Sequence, residues 1–440
     1  MTPKSFIASI ITLCTLSVSA QSLSHVDTEL DSAMRSNKVI FVDGRPGTDS
    51  EKAADVDSIR RVISTFYYDQ FRHFQDPGAP YFLFMSKDSG LAMGIGGAVR
   101  MRGYYGWNGT IPSTAFVPYL IPMTPVVAER RHIGSTPAGT CLYFRVLGQN
   151  KALGEYQLYI EANFNGYEKR GFHLKKAYAI INDFTVGYAT STFSDPAAEP
   201  PTVDAQGPNS KIAGTNVLIR YMHAFRDRLY VAASVETPHV QIDATPDHTR
   251  ALSPWLPDWA AFVQYQWAQG QHVRLAGILR TLSYRNLKTG TNHNALGRGL
   301  HLSAVAHPAR PLTAYASIHY GRGIGTYNAE LSCGNYDLVP DDDDPYRLYA
   351  PRSFGWLAGI QYNFRPDIFV SVTASQMRYL PDSPGAPDEY KYAFFGCANV
   401  FWNLTPRIMV GAEFDAGMRR NFSGEHRQAY RAGAVCQFAF

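Results

Sequence analysis

The last residues of the chain, 430–440, alternate between two kinds of side chain, and this alternation restricts the fold more than any other feature of the sequence. Every second position is apolar or small, and the series ends on an aromatic residue: Tyr430, Ala432, Ala434, Cys436, Phe438 and Phe440. The positions between them are Arg431, Gly433, Val435, Gln437 and Ala439. A membrane-spanning β-strand has this pattern, because one face meets hydrocarbon and the other faces the lumen of a barrel. A terminal strand of a soluble sandwich is the alternative for this segment taken alone.

Similar segments recur from residue 90 onward. Candidate strands cover residues 91–105, 140–148, 154–165, 172–182, 184–191, 216–224, 229–236, 260–267, 272–283, 299–306, 312–322, 353–364, 368–379, 390–402, 407–417 and 429–440. Short connections alternate with longer ones along the chain, as they do in an up-and-down outer-membrane barrel with short periplasmic turns and long external loops. The sequence therefore predicts an all-β protein, a 16-stranded antiparallel transmembrane β-barrel of the porin type.

Composition excludes other classes. No run of about 18 apolar residues follows the start of the chain, so a helical membrane protein is excluded. Aromatic residues make up 13% of the chain and cluster near the predicted strand ends, which is typical of the aromatic girdles of a barrel. The formal net charge is only +4, so we do not expect a nucleic-acid partner.

The N-terminal residues resemble an export signal. Lys4 precedes a short apolar stretch over residues 6–16, and Val18, Ser19 and Ala20 form a small-residue cleavage site before Gln21. We expect a signal peptide over residues 1–20, a periplasmic segment over 21–88 with a short helix within 50–71, and the barrel over 89–440. This organisation predicts the outer membrane of a Gram-negative bacterium, with lipid and lipopolysaccharide as neighbours.

Metal and enzyme motifs are weak. Cys141, Cys333, Cys397 and Cys436 lack close metal-type spacing, so neither a metal nor a cofactor is expected. Ser283 and His293 could form a hydrolytic pair, but they lie in or beside a predicted external loop without an identifiable third member. We therefore expect no catalytic residues and no enzyme activity.

Strand parity assigns charged residues to the inner wall. The basic residues predicted to face inward are Arg100, Arg102, Arg145, Lys175, Arg220, Arg274, Arg280 and Arg431, and the acidic ones are Glu161, Glu236, Glu413 and Asp415. A charge facing lipid at the midplane would cost about 2–4 kcal/mol, which favours the inward assignment. The alternative for any one of them is a strand end in the headgroup zone. Excess positive charge on a pore wall favours anions.

A proline-rich segment, residues 193–214, follows the fifth predicted strand and carries Asp195, Glu199 and Asp204. We interpret it as a loop that folds into the lumen and narrows it, with its acids opposite Arg100, Arg102 and Arg145. An ordinary surface loop stiffened by prolines is the alternative. The acidic run 341–344 in a late loop is interpreted as a solvated external tip, or as a divalent-cation site at the lipopolysaccharide surface.

Several stretches resemble the DcaP-like family of outer-membrane porins. They begin at Phe71 (FRHFQDP), Tyr159 (YIEANFNGY), Phe172 (FHLKKAY), Thr192 (TFSDP), Val203 (VDAQGPN) and Val400 (VFWNLTPR), and the likeness extends over most of residues 66–440. The resemblance implies a trimeric 16-stranded porin for passive diffusion of small anionic solutes, with dicarboxylates as the substrate class. The alternative function is a surface-binding or adhesion barrel with a blocked lumen.

Overall fold

The chain forms a closed antiparallel barrel of sixteen strands, as predicted. The structure is a computed structural model, and it describes residues 39–41, 82–86, 91–124 except 110 and 112, 127, 130–164 except 151 and 153, and 171–440 except 227 and 384. The strands in chain order are β1 (Leu91–Trp107), β2 (Cys141–Asn150), β3 (Gly154–Phe164), β4 (Phe172–Ile181), β5 (Phe184–Thr190), β6 (Thr215–Phe225), β7 (Leu229–Glu236), β8 (Asp258–Ala268), β9 (Gln271–Asn286), β10 (Asn292–Ala309), β11 (Leu312–Arg322), β12 (Arg352–Arg365), β13 (Ile368–Leu380), β14 (Tyr390–Thr405), β15 (Ile408–Asn421) and β16 (His426–Ala439).

Each strand pairs with the next along the chain, and β16 closes the barrel against β1. The closing register runs from Tyr430 opposite Trp107 to Ala439 opposite Ala98. Phe440 continues it, because its backbone exchanges two hydrogen bonds with Gly97, of 2.9 and 3.0 Å. Closure pairs the edge strands with each other, which removes the free sheet edge that hydrocarbon could not solvate.

A further strand, Phe82–Ser86, covers the part of β1 that extends past the C-terminus. It pairs with residues 91–95 in antiparallel register, and Val39–Phe41 pairs with it in turn, in parallel. These strands were not predicted, and they lie within the segment 21–88. The predicted signal peptide (1–20) and helix (50–71) fall outside the described residues.

Connections alternate in length as the sequence predicted. Turns of two or three residues join β2 to β3, β4 to β5, β6 to β7, β8 to β9, β10 to β11, β12 to β13 and β14 to β15. The opposite end carries the long connections 108–140, 191–214, 237–257 and 323–351, together with four shorter ones. Within them, Arg131–Thr136 pairs with the end of β1, and Thr249–Ala251 pairs with the end of β9.

The outer face of the barrel is apolar and its inner face is polar. In β8, buried and exposed residues alternate without interruption from Asp258 to Tyr265. Large apolar side chains are exposed around the whole outer wall, among them Val99, Ile160, Ile219, Leu275, Leu300, Ile360, Val372 and Phe438. Exposed aromatic residues lie near strand ends. Trp402 and Phe364 are examples at the end with the short turns (the turn end), and Tyr105 and Trp259 are examples at the end with the long connections (the loop end). No helix in the part of the chain that the structure describes is long and apolar enough to cross a membrane.

The interior of the barrel contains a packed cluster rather than an open tube. Phe193 and Ile212 pack with Phe262 and Ile278 of the wall and with Tyr327 from the connection 323–351. These side chains are at most 3% exposed. Connections from the loop end therefore enter the barrel and are held there by apolar contacts as well as by hydrogen bonds.

Candidate functional site

The charged residues that strand parity assigned to the inner face are buried there, apart from Lys175. Their exposed fractions are 8% or less for Arg100, Arg102, Arg145, Arg220, Arg274, Arg280, Arg431, Glu161, Glu236, Glu413 and Asp415. The side chain of Lys175 is 34% exposed. In β1 the neighbours Val99 and Met101 are about half exposed on the opposite face, so the two faces of the strand are clearly distinguished.

The segment 191–214, which we call the inner loop, joins β5 to β6 and lies against the inner wall. Its first attachment is Asp195, which is 3% exposed. Asp195 accepts a hydrogen bond from Ser303 Oγ at 2.5 Å, and it is hydrogen-bonded to His272 Nε2 at 2.8 Å. Arg274 Nη1 lies 3.5 Å from the other carboxylate oxygen. Burial by itself raises the pKa of Asp195, but Arg274 and the hydrogen bonds of His272 and Ser303 lower this pKa below its ordinary value. Asp195 is therefore a charged anchor of the loop on β9 and β10.

The middle of the inner loop is attached to β15 and β1. The backbone nitrogens of Val203 and Asp204 donate to the carboxylate of Glu413 at 2.8 and 2.6 Å. Arg102 Nε donates to the carbonyl oxygen of Val203 at 2.7 Å. These backbone groups of the loop thus bind charged side chains of the wall, and such hydrogen bonds are stronger than those between neutral groups.

The last part of the inner loop is attached to β12, β13 and β14. Ser375 Oγ donates to Asn209 Oδ1 at 2.8 Å, and Asn209 Nδ2 donates to the carbonyl oxygen of Ala393 at 3.2 Å. Ser210 Oγ donates to the carbonyl oxygen of Trp356 at 2.7 Å. The loop therefore crosses the barrel and follows the wall from β9 to β15.

The opposite side of the inner loop borders a cavity of about 270 Å³. Its wall is formed by residues of β1 to β6 and of the connection 108–140. Five cationic side chains line it, namely Arg100, Arg102, Lys175, Lys176 and Lys211, and Glu199 is the one carboxylate among its described lining residues. Lys211 and Glu199 form an ion pair at 3.3 Å, and Lys175 pairs with Glu161 at 2.8 Å. The cavity thus carries an excess of positive charge.

A β-bulge places two consecutive lysines at this cavity. Glu161 of β3 is opposite Lys176, whereas Ala162 is opposite Leu174, so the register shifts at Lys175. A regular strand would send one of the two lysines to lipid, but both line the cavity. Strand parity found Lys175 and missed Lys176. Two consecutive lysines in a membrane strand themselves indicate a bulge, because a regular strand would turn one of them toward lipid, where a lysine is costly.

Other inward basic residues are not brought to the cavity. Arg280 forms ion pairs with Asp258 at 3.0 Å and Asp337 at 2.9 Å, and its guanidinium lies over the ring of Tyr327. Arg274 donates to the carbonyl oxygen of Ser194 at 3.0 Å as well as facing Asp195. These two arginines hold loops against the wall.

The remaining inward residues also have partners in the wall or the loops. Arg431 Nη1 donates to the carbonyl oxygen of Thr114 at 2.9 Å, Arg220 Nη1 donates to that of Thr190 at 3.1 Å, and Arg145 lies over the ring of Tyr159 at 5.5 Å. Glu236 accepts hydrogen bonds from the backbone nitrogen of Thr192 at 2.9 Å and from Asn216 Nδ2 at 2.9 Å.

The predicted arrangement of the loop acids needs correction. Of the three, only Glu199 lines the cavity. Asp195 is turned toward β9 and β10, and Asp204 is turned toward Arg431 at 3.5 Å while accepting a hydrogen bond from the backbone nitrogen of Phe116 at 2.8 Å. These two acids anchor the loop to the wall and to the connection 108–140, because a buried carboxylate requires a cation or several donors.

Two further sequence features lie away from the cavity. Ser283 and His293 are near the loop end of β9 and β10, but Ser283 is opposite Asn294 and donates to it at 2.7 Å, whereas His293 interacts with Thr291 at 2.9 Å. The two side chains are not hydrogen-bonded to each other. The acidic run 341–344 is largely exposed at a loop tip, where Asp341 Oδ2 lies 3.9 Å from Arg347.

Solved structures of outer-membrane proteins share this fold. The outer-membrane channel DcaP of Acinetobacter baumannii matches with a TM-score of 0.68 and 17% sequence identity, over 81% of this chain and 99% of that chain. The outer-membrane expressed OmpT of Vibrio cholerae matches with a TM-score of 0.50 and 10% identity, over 80% and 99% of the two chains. Neither a family model nor a curated protein matches the sequence. At these sequence identities the likeness is one of fold, the closed antiparallel barrel.

Proposed function

We propose that the protein is an outer-membrane porin for passive diffusion of small, preferentially anionic solutes, with dicarboxylates as the substrate class. The observation that carries this proposal is the cavity between the inner loop and β1 to β6, where five cationic side chains meet one lining carboxylate. In this proposal the barrel supplies a channel and performs no catalysis.

The charge of the cavity wall supports anion preference. Arg100 and Arg102 extend from β1, Lys175 and Lys176 from β4, and Lys211 from the inner loop. Rings of basic side chains favour anions in a pore, and a narrow cleft between low-dielectric walls strengthens their field. Ion pairing of Lys175 and Lys211 reduces the excess of positive charge without cancelling it.

The size of the cavity supports a small solute. Its volume of about 270 Å³ lies just below the roughly 300–1,000 Å³ of pockets that take drug-sized ligands, so it suits a smaller molecule. A four-carbon dicarboxylate is such a molecule, and its two negative charges would meet basic groups on both sides of the cavity. We propose the inner loop as the constriction that sets this size.

We further propose that the barrels associate as a homotrimer with lipid and lipopolysaccharide around it, as the resemblance to DcaP-like porins implies. The outer wall carries a groove of small residues, including Gly103, Ala432 and Ala434, between the exposed side chains of Tyr105 and Ile133. Such a groove allows close approach of a neighbouring barrel. Cross-linking in detergent would reveal the trimer, and a monomer at all protein concentrations would contradict it.

Charge reversal at β1 tests the proposed selectivity. We expect Arg100→Glu combined with Arg102→Glu to change the preference from anions to cations, because four units of charge change beside the cavity. The measurement is the reversal potential of single channels in a planar bilayer under a salt gradient. Arg365→Glu is the matched control, since Arg365 is exposed at the turn end and pairs with Asp367 at 3.1 Å.

The same recordings distinguish the channel from a surface-binding barrel with a blocked lumen. A folded wild-type protein that conducts no current would contradict the porin proposal and favour surface binding. An unchanged reversal potential in the double variant would leave a channel but reject these two arginines as its selectivity residues.

A further inference from the structure

A thiol and two carboxylates meet on the inner wall where β14 and β15 pair. Cys397 is directly opposite Asp415, and Asn399, two residues along β14, is opposite Glu413. The potential ligand atoms of Cys397, Glu413 and Asp415 all lie within 4.8 Å of one another, and each residue is at most 5% exposed. No motif in the sequence predicts this cluster, since strand pairing assembles it across the hairpin.

One buried polar atom at this cluster lacks a hydrogen-bond partner. Asp415 Oδ1 accepts no hydrogen bond although Asp415 is 1% exposed. Thr373 is directly opposite Cys397 on β13, is 2% exposed, and brings its hydroxyl to the thiol. A buried carboxylate oxygen without a partner is costly, so Asp415 indicates a further ligand beside the thiol.

The groups around the cluster suit a cation. Three carboxyl groups, those of Asp204, Glu413 and Asp415, lie near two arginines, Arg102 and Arg431. A bound divalent cation requires Cys397 and both carboxyl ligands to be ionised. The occupied site would then hold four negative and four positive charges, and a sum of zero is the condition that burial favours.

The donor set selects the kind of cation. A thiolate with two carboxylates suits zinc, which binds Cys sulfur at about 2.3 Å and carboxylate oxygen at about 2.0–2.2 Å. Magnesium and calcium take oxygen ligands and leave a thiolate unused. Ligand atoms on tetrahedral zinc lie about 3.4–3.6 Å apart by these bond lengths, so shifts of roughly an ångström from the present positions suffice.

We propose that Cys397, Glu413 and Asp415 form a zinc site in the barrel wall, with the Thr373 hydroxyl or a water at the fourth position. Binding replaces the thiol proton of Cys397 by Zn²⁺ and releases that proton to solvent. Glu413 also holds the backbone of Val203 and Asp204. The zinc site therefore lies at the attachment point of the inner loop and fixes the position of that loop.

Metal content of the refolded barrel tests the site. The full chain is refolded in detergent with Zn²⁺, excess metal is removed by dialysis, and zinc per chain is measured by mass spectrometry. We expect one zinc per wild-type chain. Because loss of a supporting contact alone costs about 10–100-fold in metal affinity, we expect at least about 100-fold weaker binding in Cys397→Ser and in Asp415→Asn.

The matched control is Cys141→Ser, because Cys141 is also a buried cysteine of the inner face but lies outside the cluster. This variant should keep the zinc. Absence of zinc from the wild type, or equal retention in Cys397→Ser, would overturn the proposal. Since a variant could fail to fold, Co²⁺ provides a measurement on the wild type alone. A thiolate-to-cobalt charge-transfer band is expected, and bound Co²⁺ without this band would also reject the site.

Discussion

Glu330 is a completely buried carboxylic acid in the connection between β11 and β12. Burial raises its pKa from the ordinary 4.5 to about 8, and the neighbouring Asn209, Tyr119, Arg419 and Tyr390 only partly oppose this rise. Neither oxygen of its carboxyl group has a hydrogen bond of good geometry. The group is therefore mainly neutral at pH 7 and becomes charged only in mildly alkaline solution.

This pKa predicts how stability depends on pH. Between about pH 4.5 and pH 8 the folded protein keeps a proton that the unfolded chain loses, so the free energy of unfolding falls as the pH rises, by about 1.4 kcal/mol per pH unit. Glu330→Gln should remove this component, leaving the variant similar to wild type at pH 5 and more stable at pH 9. Urea unfolding across this range is the measurement. Glu425→Gln, at an exposed loop glutamate, is the control, and equal pH profiles of wild type and Glu330→Gln would contradict the prediction.

Strand parity predicts the face of a residue but not its partner. Arg100 and Arg274 have the same pattern of apolar neighbours in the sequence, and both lie inside. Arg100 lines the cavity, whereas Arg274 lies 3.5 Å from Asp195 of the inner loop. The difference arises from the path of that loop, which depends on contacts between residues about 80 positions apart. A local pattern contains no information about such contacts.

At the scale of elements, the inner loop separates the barrel interior into a packed side and an open side. Its acids and amides bind the wall from β9 to β15, and its other side faces the cavity. The two strands that flank the inner loop pair with each other up to the point where the loop begins, where Thr190 of β5 is opposite Thr215 of β6. The barrel wall is therefore continuous without the loop, and a tight hairpin could replace it.

Replacement of residues 193–214 by a short glycine-serine turn should enlarge the channel. The wall charges that now bind the loop, such as Arg274 and Glu413, would face water and be solvated, so the barrel is expected to fold. Single-channel conductance should increase and anion selectivity should fall. Replacing Asp341, Asp342, Asp343 and Asp344 by asparagine is the control for loop changes in general, because this tip is largely exposed. A folded loop-deletion variant with unchanged conductance would show that the inner loop is not the constriction.

The elements themselves were predicted most accurately where they cross the membrane. β16 was predicted as 429–440 and is His426–Ala439, whereas β10 was predicted as 299–306 and is Asn292–Ala309. The first part of β10 reads Asn292-His-Asn-Ala-Leu and extends a hairpin with β9. Without hydrocarbon on one face, that part needs no alternation of apolar residues, so periodicity could not detect it.

At the scale of the whole molecule, the two ends of the barrel meet where β16 pairs with β1, and Phe440 continues this pairing. The aromatic ring of Phe440 packs over Gly97 of β1, and the backbones of the two residues are hydrogen-bonded. A Cβ atom on Gly97 would lie 2.9 Å from Cζ of Phe440 and would also collide with the carbonyl oxygen of Cys141. Gly97 thus leaves the space in which the C-terminal residue completes the wall.

Gly97→Ala should therefore impair closure of the barrel. We expect a loss of stability on the order of 1–3 kcal/mol, the usual cost of overpacking, and a smaller fraction of folded protein in gels that separate unheated barrels from denatured chains. Gly106→Ala is the matched control, because Gly106 lies on the same strand and the nearest atom to its Cβ position, the carbonyl oxygen of Tyr430, is at an ordinary contact distance of 3.7 Å. That variant should be as stable as wild type or slightly more so, since alanine loses less backbone entropy than glycine. If both variants fold equally well, the C-terminal contact contributes little, and closure depends instead on the ladder between β16 and β1.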